Sequence, residues 1–316
     1  MAFVGLATIF ARLLAPLAPS RAATVVADAG PAVDRAELRK RLKANMEARP
    51  PIARIPVKDP DTLEVDEARA GSLEPDGLPK SAASAAPLPE GPVVAIMLTE
   101  LGPNAGAARS AIETLPPAVS LAFSPYADAS PVLSREAGRR GHEVWLSVPM
   151  QPKSYPRVSP GANVLLTSES AAENVRRLSW ALGRVEGAIG VTNMMGSSFT
   201  ESREAMRPVL RAVKDRGLVY VDARSSGRSV GEAEARALGV PAATNARFLD
   251  EPETAENIRA NLRALVLTAK RQGSAIGYAR AVPATIDELA RWSKALSDEG
   301  VTLVGASTAA RVNSKG

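Results

Sequence analysis

The chain is 316 residues long, 45% hydrophobic and only 4% aromatic, with 39 Lys and Arg against 34 Asp and Glu and a net charge of +5. That is enough apolar material for one or two folded domains, which excludes wholesale disorder, and too little aromatic material for a surface that stacks many bases or sugars. With no cysteine and the single histidine His142, disulfide scaffolds, thiolate nucleophiles, Cys-based metal centres and multi-imidazole zinc sites are excluded as well.

The opening stretch, residues 2–18, is apolar except for Arg12 and is followed by the small-residue exit Ser20-Arg21-Ala22-Ala23. It has the form of a secretory signal or short membrane anchor over residues 1–24, although no basic residue precedes it. The expectation is export, with a periplasmic or inner-membrane-anchored protein and N-terminal membrane association. Residues 25–90 are a polar helix and a linker. The helix spans 33–48, with Asp34 as N-cap and Leu38, Leu42 and Met46 on one stripe. From Arg49 to Pro92 prolines recur among Gly, Ser, Asp and Glu, a composition that cannot pack a core by itself.

Over 91–312 the pattern becomes regular. The apolar run 93–98 predicts a buried strand, 105–115 a helix, 118–123 a strand, and Pro131 starts a helix that stops at Gly141. Strand 143–148 follows, beginning next to His142, which is read as structural. Ser170-x-x-Glu173 is a capping box opening a helix with Val175, Leu178, Leu182 and Val185 on one face. Strand 187–192 leads to Thr200, expected to cap a helix carrying Met206, Val209, Leu210 and Val213 and closed by Gly217. Strand 218–221 ends at Asp222 and a helix covers 231–238. A long helix over 253–272 turns Ile258, Leu262, Leu265 and Val266 inward before Gly273, and strand 274–278 follows. Thr285-x-x-Glu288 is read as a second capping box, with its helix ending at Gly300 before strand 301–304.

Such strand–helix alternation predicts parallel strands with right-handed crossovers, in an α/β fold: an irregular (β/α) barrel of seven or eight strands, with an open doubly wound sheet as the alternative. No G-x-G-x-x-G follows the first strand, so no dinucleotide site is expected. The positive charge is nearly all arginine, 30 against 9 lysines, and is spread over the predicted helices. It reads as a solvated basic surface, with no nucleic-acid partner. Trp145, Trp180 and Trp292 are read as core.

In a parallel barrel the chemistry sits past the C-terminal strand ends. Those ends carry Thr99-Glu100-Leu101-Gly102, Ser147-Val148-Pro149-Met150-Gln151-Pro152, Asn193-Met194-Met195-Gly196-Ser197, Asp222-Ala223-Arg224-Ser225-Ser226, Phe248-Leu249-Asp250 and Tyr278-Ala279-Arg280. In this order they resemble the divergent polysaccharide deacetylases, a branch of the carbohydrate deacetylase superfamily of irregular barrels, over roughly residues 91–310. The resemblance implies Asp-Asp-Leu-Gly after the first strand, one Asp as general base and the other on a divalent metal. This chain has Thr99 and Glu100 there. The family's metal His in Asn-His-Met-Gly-Ser is Met194, its His before Pro-Met is Ser147, its Glu after Pro-Met is Gln151, and the His of its late Gly-His pair is Tyr278.

A threonine hydroxyl does not ionise near neutral pH and a thioether is a poor ligand for a hard divalent ion. The expectation is therefore a carbohydrate-related cell-envelope protein without catalysis or cofactor, although Glu100 could still hold a divalent metal weakly. It would bind a glycan, a peptidoglycan fragment or an envelope protein. Asn193, Ser197, Arg224 and Tyr278 are the expected substrate-binding residues, with Arg224 fixing its loop by a bidentate pair to a carboxylate. The alternative is a hydrolase running on the carboxylates Glu100, Asp222 and Asp250. A third reading makes helix 33–48 the docking element of a structural partner.

Overall fold

The computed structural model describes residues 88–313; the expected leader, the helix over 33–48 and nearly all of the linker lie outside the described residues. The first strand, β1 (Val93–Leu101), is the strand around which the sheet is arranged. Its first six residues are completely buried. Odd positions Val93, Ala95 and Met97 point to one apolar cluster and even positions Val94, Ile96 and Leu98 to another, as a strand covered on both faces requires.

Six further strands follow: β2 (Ser120–Phe123), β3 (Val144–Met150), β4 (Gly190–Met195), β5 (Val219–Asp222), β6 (Ala242–Phe248) and β7 (Ser274–Arg280). Each pairs in parallel with its neighbour, and β7 pairs with β1 from Val93↔Ser274 to Thr99↔Arg280. The other edge of β1 is shared. The short strand β8 (Thr302–Leu303) takes Val93 and Val94, and β2 takes Met97, Leu98 and Leu101. The result is a closed seven-stranded parallel barrel with an eighth strand filling the lower part of the β1–β2 seam.

The connecting helices are α1 (Ala105–Thr114), α2 (Ser130–Arg139), α3 (Ala171–Leu182), α4 (Arg203–Asp215), α5 (Gly231–Ala237), α6 (Ala255–Gln272) and α7 (Pro283–Ala295). Their apolar stripes pack on the outer face of the barrel, α6 through Ile258, Leu262, Leu265 and Val266 as its periodicity predicts. Ser170 caps α3 by accepting from the Glu173 N–H at 3.1 Å, and Gly273 stops α6 in the left-handed conformation.

Four expectations need correction. A strand end is expected at Phe248, but the run before it, Ala-Ala-Thr-Asn-Ala-Arg, has no strand pattern of its own; β6 is there, and its place between β5 and β7 makes it a strand. Thr200 does not cap α4. It lies in a turn of 3-10 helix (Phe199–Glu201), and Ser202 accepts from the Ala205 N–H instead. Thr285 is no cap either. Pro283 suits the first helical turn, so α7 starts three residues earlier, with Val282 at the cap, and buries Thr285. Glu288 meanwhile receives Arg259 and Arg291. Finally, the chain continues past the last strand into α8 (Ala306–Asn313), whose alanine face carries no apolar stripe in the sequence.

This last helix forms the barrel's floor. Ala306, Ala309 and Ala310 join the interior cluster of Val93, Ala95, Met97, Trp145, Val221 and Ile276. Glu143, just before β3, receives the Ser120 hydroxyl at 2.8 Å, the Trp145 Nε1–H at 3.2 Å, and both the N–H (3.1 Å) and the hydroxyl (2.5 Å) of Ser307. A carboxylate thus sits at the start of α8, where the helix dipole favours it. Gly305 makes room, since a Cβ there would lie 2.2 Å from the Glu143 carboxyl carbon. His142 lies at this lower end, buried, with Nδ1 2.9 Å from the Val119 carbonyl and Nε2 3.2 Å from that of Ile112.

Trp145 fills the lower interior, and Gly190 on the adjacent strand is the space it occupies: a Cβ there would fall 2.3 Å from the indole ring. Gly190→Ala should destabilise the barrel by about 1–3 kcal/mol through overpacking, measured as the urea midpoint. Adding Trp145→Leu should return part of the loss; an additive double variant would show that the ring and this glycine are not coupled.

Candidate functional site at the barrel mouth

The opposite end of the barrel, where the strands finish, is built differently. Among the described residues, three non-glycine residues have left-handed backbones: Glu100 (φ 60°), Met195 (φ 57°) and Arg224 (φ 58°). They stand at the ends of β1 and β4 and just after β5, and all three are exposed. Conformations of this kind disfavour side chains with a Cβ and persist where neighbouring contacts hold them.

The contacts at β4 and β5 converge on one amide. Buried Asn193 donates through Nδ2 to the Met195 carbonyl at 2.7 Å and to the Ser225 hydroxyl at 3.1 Å. Its Oδ1 accepts from the Ala223 N–H at 2.8 Å and from the Tyr220 hydroxyl at 3.4 Å. The side chain expected to bind substrate is therefore the clasp that shapes two strand ends. Ser197 does related work, accepting from the Lys153 N–H at 3.0 Å.

Asp222 is buried at the end of β5. It accepts from the Arg224 N–H at 2.7 Å and the Ser229 hydroxyl at 2.5 Å. Burial pushes its carboxyl above the ordinary aspartate range, and these hydrogen bonds oppose the shift. Arg224 itself forms no ion pair among the described residues. The expected bidentate pair is replaced by a backbone contact, because the left-handed turn directs the N–H, and not the guanidinium, toward Asp222. Asp250 is likewise buried and is occupied by Arg280, accepting its N–H at 2.9 Å and its Nε–H at 3.2 Å. Arg280 also reaches Glu253 at 3.1 Å and lies within electrostatic range of Glu100.

One acidic residue overlooked in the sequence ties three loops together. Glu201 binds Lys153 Nζ at 2.6 Å from the β3 loop, Arg228 at 3.0 Å from the β5 loop, and the Ser226 hydroxyl. The only available sequence signal was its place just before a helix, which says nothing of partners 27 and 48 residues away. The backbone of this region is joined too: the Gln151 carbonyl accepts from Ser198 and Phe199 N–H groups, and the Thr200 carbonyl from Val230.

Beneath the rim lie the positions where the resemblance implies metal chemistry. The Thr99 hydroxyl donates to the Ala279 carbonyl at 3.2 Å. Ser147 is buried. Gln151 Oε1 accepts from the N–H (2.8 Å) and hydroxyl (3.0 Å) of Thr167, holding the following loop. Met194 is half-buried. Tyr278 is 2% exposed, with its hydroxyl 2.7 Å from that of Thr192 across the barrel and its ring edge-on to Phe248. Burial pushes its phenol well above the ordinary tyrosine range. Among the described residues no three His, Asp or Glu side chains come together as a metal-binding group. A threonine hydroxyl bound to a carbonyl, a buried serine, a thioether, an amide oxygen already engaged by Thr167 and a buried phenol supply no charged ligand, and so do not fit a hard divalent cation.

These strand ends, in this order on this barrel, agree with a comparison to known families: a model described as divergent polysaccharide deacetylase matches residues 96–310. The chain belongs to that family. An uncharacterized protein of Haemophilus influenzae is 30% identical over 196 residues, which are 62% of this chain and 69% of that protein. The uncharacterized protein YibQ of Escherichia coli is 29% identical over 194 residues, 61% of this chain and 60% of YibQ. The crystal structure of uncharacterized protein ATU2773 from Agrobacterium tumefaciens superposes with a TM-score of 0.67 at 33% identity, covering 71% of this chain and 90% of that one. In this member of the family the strand ends are thus in family order, while Asn193, Asp222, Asp250 and Tyr278 are engaged by the scaffold.

Glu201 yields a pH signature. Its partners, Lys153 first, then Ser226 and Arg228, lower its carboxyl from 4.5 to about 2. A folded-state value below the unfolded one stabilises fully above about pH 4.5, and that contribution is lost as pH falls toward 2. Glu201→Gln should therefore flatten the fall in melting temperature between pH 4.5 and 2.5 relative to the parent chain. Parallel curves for the two proteins would show that the ion-paired loops do not form in solution.

Proposed function

We propose that this chain is a cell-envelope protein that keeps the deacetylase barrel without metal-dependent deacetylation, and that its mouth serves as a glycan- or protein-binding surface. The observation that carries the reading is the donor set at the mouth. Thr99, Ser147, Gln151, Met194 and Tyr278 occupy the five positions where the family resemblance implies a base, metal ligands and a general acid. The hydroxyls of Thr99 and Tyr278 and the Gln151 carbonyl are already hydrogen-bonded within the protein. Deacetylation needs a cation to polarise the amide carbonyl and acidify water, together with a base. None of these five side chains ionises as a carboxylate or presents an imidazole.

The carboxylate-only alternative has less support. Asp222 has the perturbed environment of a general acid, but both of its oxygens face its own loop. Asp250 is neutralised by Arg280. Glu100 is the exposed member of the three and has no second free carboxylate assigned to work with it.

Calorimetric titration of the purified full chain with Zn²⁺ should give no stoichiometric binding, and chitin oligosaccharides incubated with the protein should release no acetate. Stoichiometric zinc together with acetate release would overturn the reading. The envelope assignment rests on the apolar segment at 2–18. Alkaline phosphatase fused after residue 90 should be active in cells when residues 1–90 precede it and inactive when residues 1–24 are deleted. An inactive fusion with the intact segment would place the barrel in the cytoplasm.

A further inference from the structure

The charges around the mouth are unevenly distributed. On the β6, β7 and β1 side, Arg280 is surrounded by Asp250, Glu253 and Glu100. On the β3, β4 and β5 side, Glu201 pairs with Lys153 and Arg228. Arg224 stands on this second side, exposed and without an ion pair among the described residues. Its backbone is left-handed, fixed from below by the Asp222 carboxylate on its own N–H and by Asn193 on Ala223 and Ser225. The same amide fixes Met195, which is 41% exposed and also left-handed. One buried amide therefore fixes two exposed residues, Arg224 and Met195, at the ends of neighbouring strands, both on strained backbone, and no ion pair with a described residue accounts for the Arg224 guanidinium.

We propose that Arg224 anchors an anion subsite at the β4–β5 corner of the mouth and that the ligand it takes is a carboxylate-bearing glycan. The inference rests on the glycan-binding reading above and names the ligand class. An unpaired guanidinium presents parallel N–H donors matched to a planar carboxylate. Lys153, Arg228 and Arg224 outnumber the single carboxylate Glu201, so the corner is net positive and draws an anion, and of these cations Arg224 is the one without an ion pair among the described residues, its planar fork matching a carboxylate. Met195 supplies an adaptable apolar wall for the sugar ring that carries the carboxylate.

The test uses the purified full chain and two probes: a hyaluronan tetrasaccharide, which bears glucuronate carboxylates, and the same oligosaccharide with its carboxyls reduced to alcohols. Calorimetry should show the acidic form binding at least tenfold tighter, with the preference shrinking as salt is raised. Arg224→Gln should abolish the preference and Arg224→Lys should restore only part of it, with the melting temperature of both variants unchanged because the side chain is exposed. Equal binding of the two probes by the parent protein, or a preference that survives in Arg224→Gln, would overturn the anion subsite and leave the glycan-binding reading standing. Binding of neither probe would overturn the anion subsite, leaving the protein-binding half of the reading above untouched.

Discussion

The pairing of β1 is the constraint on which the rest of this structure depends. Its one edge is matched along seven consecutive positions by β7, and its other edge is divided between β8 below and β2 above. A parallel barrel has no free edge only if its first strand meets its last one, and here that meeting joins residues as far apart in sequence as Val93 and Ser274. Complete burial of Val93 to Leu98 follows from this, because both faces and both edges are covered. The two apolar clusters, inside and outside the barrel, are separated by the pleat of this strand and its neighbours.

Closure also divides the molecule into a floor and a mouth with different physics. The floor is sealed by alanines of α8 and by one carboxylate, Glu143, that joins β2, β3 and the start of that helix. The mouth holds its loops through charged and amide hydrogen bonds centred on Glu201, Asn193, Asp222 and Asp250. Groups at the strand ends of a barrel are usually the ones free to meet a ligand. Here many of them bind one another, while Glu100, Met195 and Arg224 are exposed.

Much of the fold was legible in the sequence because β1, β3, β5 and the long α6 carry the apolar periodicities that burial demands. β6 was not legible, since a strand rich in alanine and polar residues takes its conformation from the two strands beside it. α8 escaped notice for a similar reason: its buried face is alanine, small enough to enter the barrel and too weak to register as an amphipathic stripe. At the mouth the order of the strand-end segments was readable, but the use of each side chain was not. Whether Asn193 faces a ligand or its neighbours' backbone depends on the approach of β5, and whether Glu201 is free depends on loops 27 and 48 residues distant. Such pairings are long-range and leave no local pattern.

The late position of the floor in the chain bears on how the barrel is assembled. Ser120 and Ala306, hydrogen-bonded in the finished floor, are separated by 186 residues. A nascent polypeptide that has emerged only as far as α7 would leave Ala95, Met97 and Trp145 uncovered from below and the lower seam of β1 unmatched. Full burial of the barrel interior is thereby deferred until residues 302–313 arrive, and contacts this distant in sequence are slow to form.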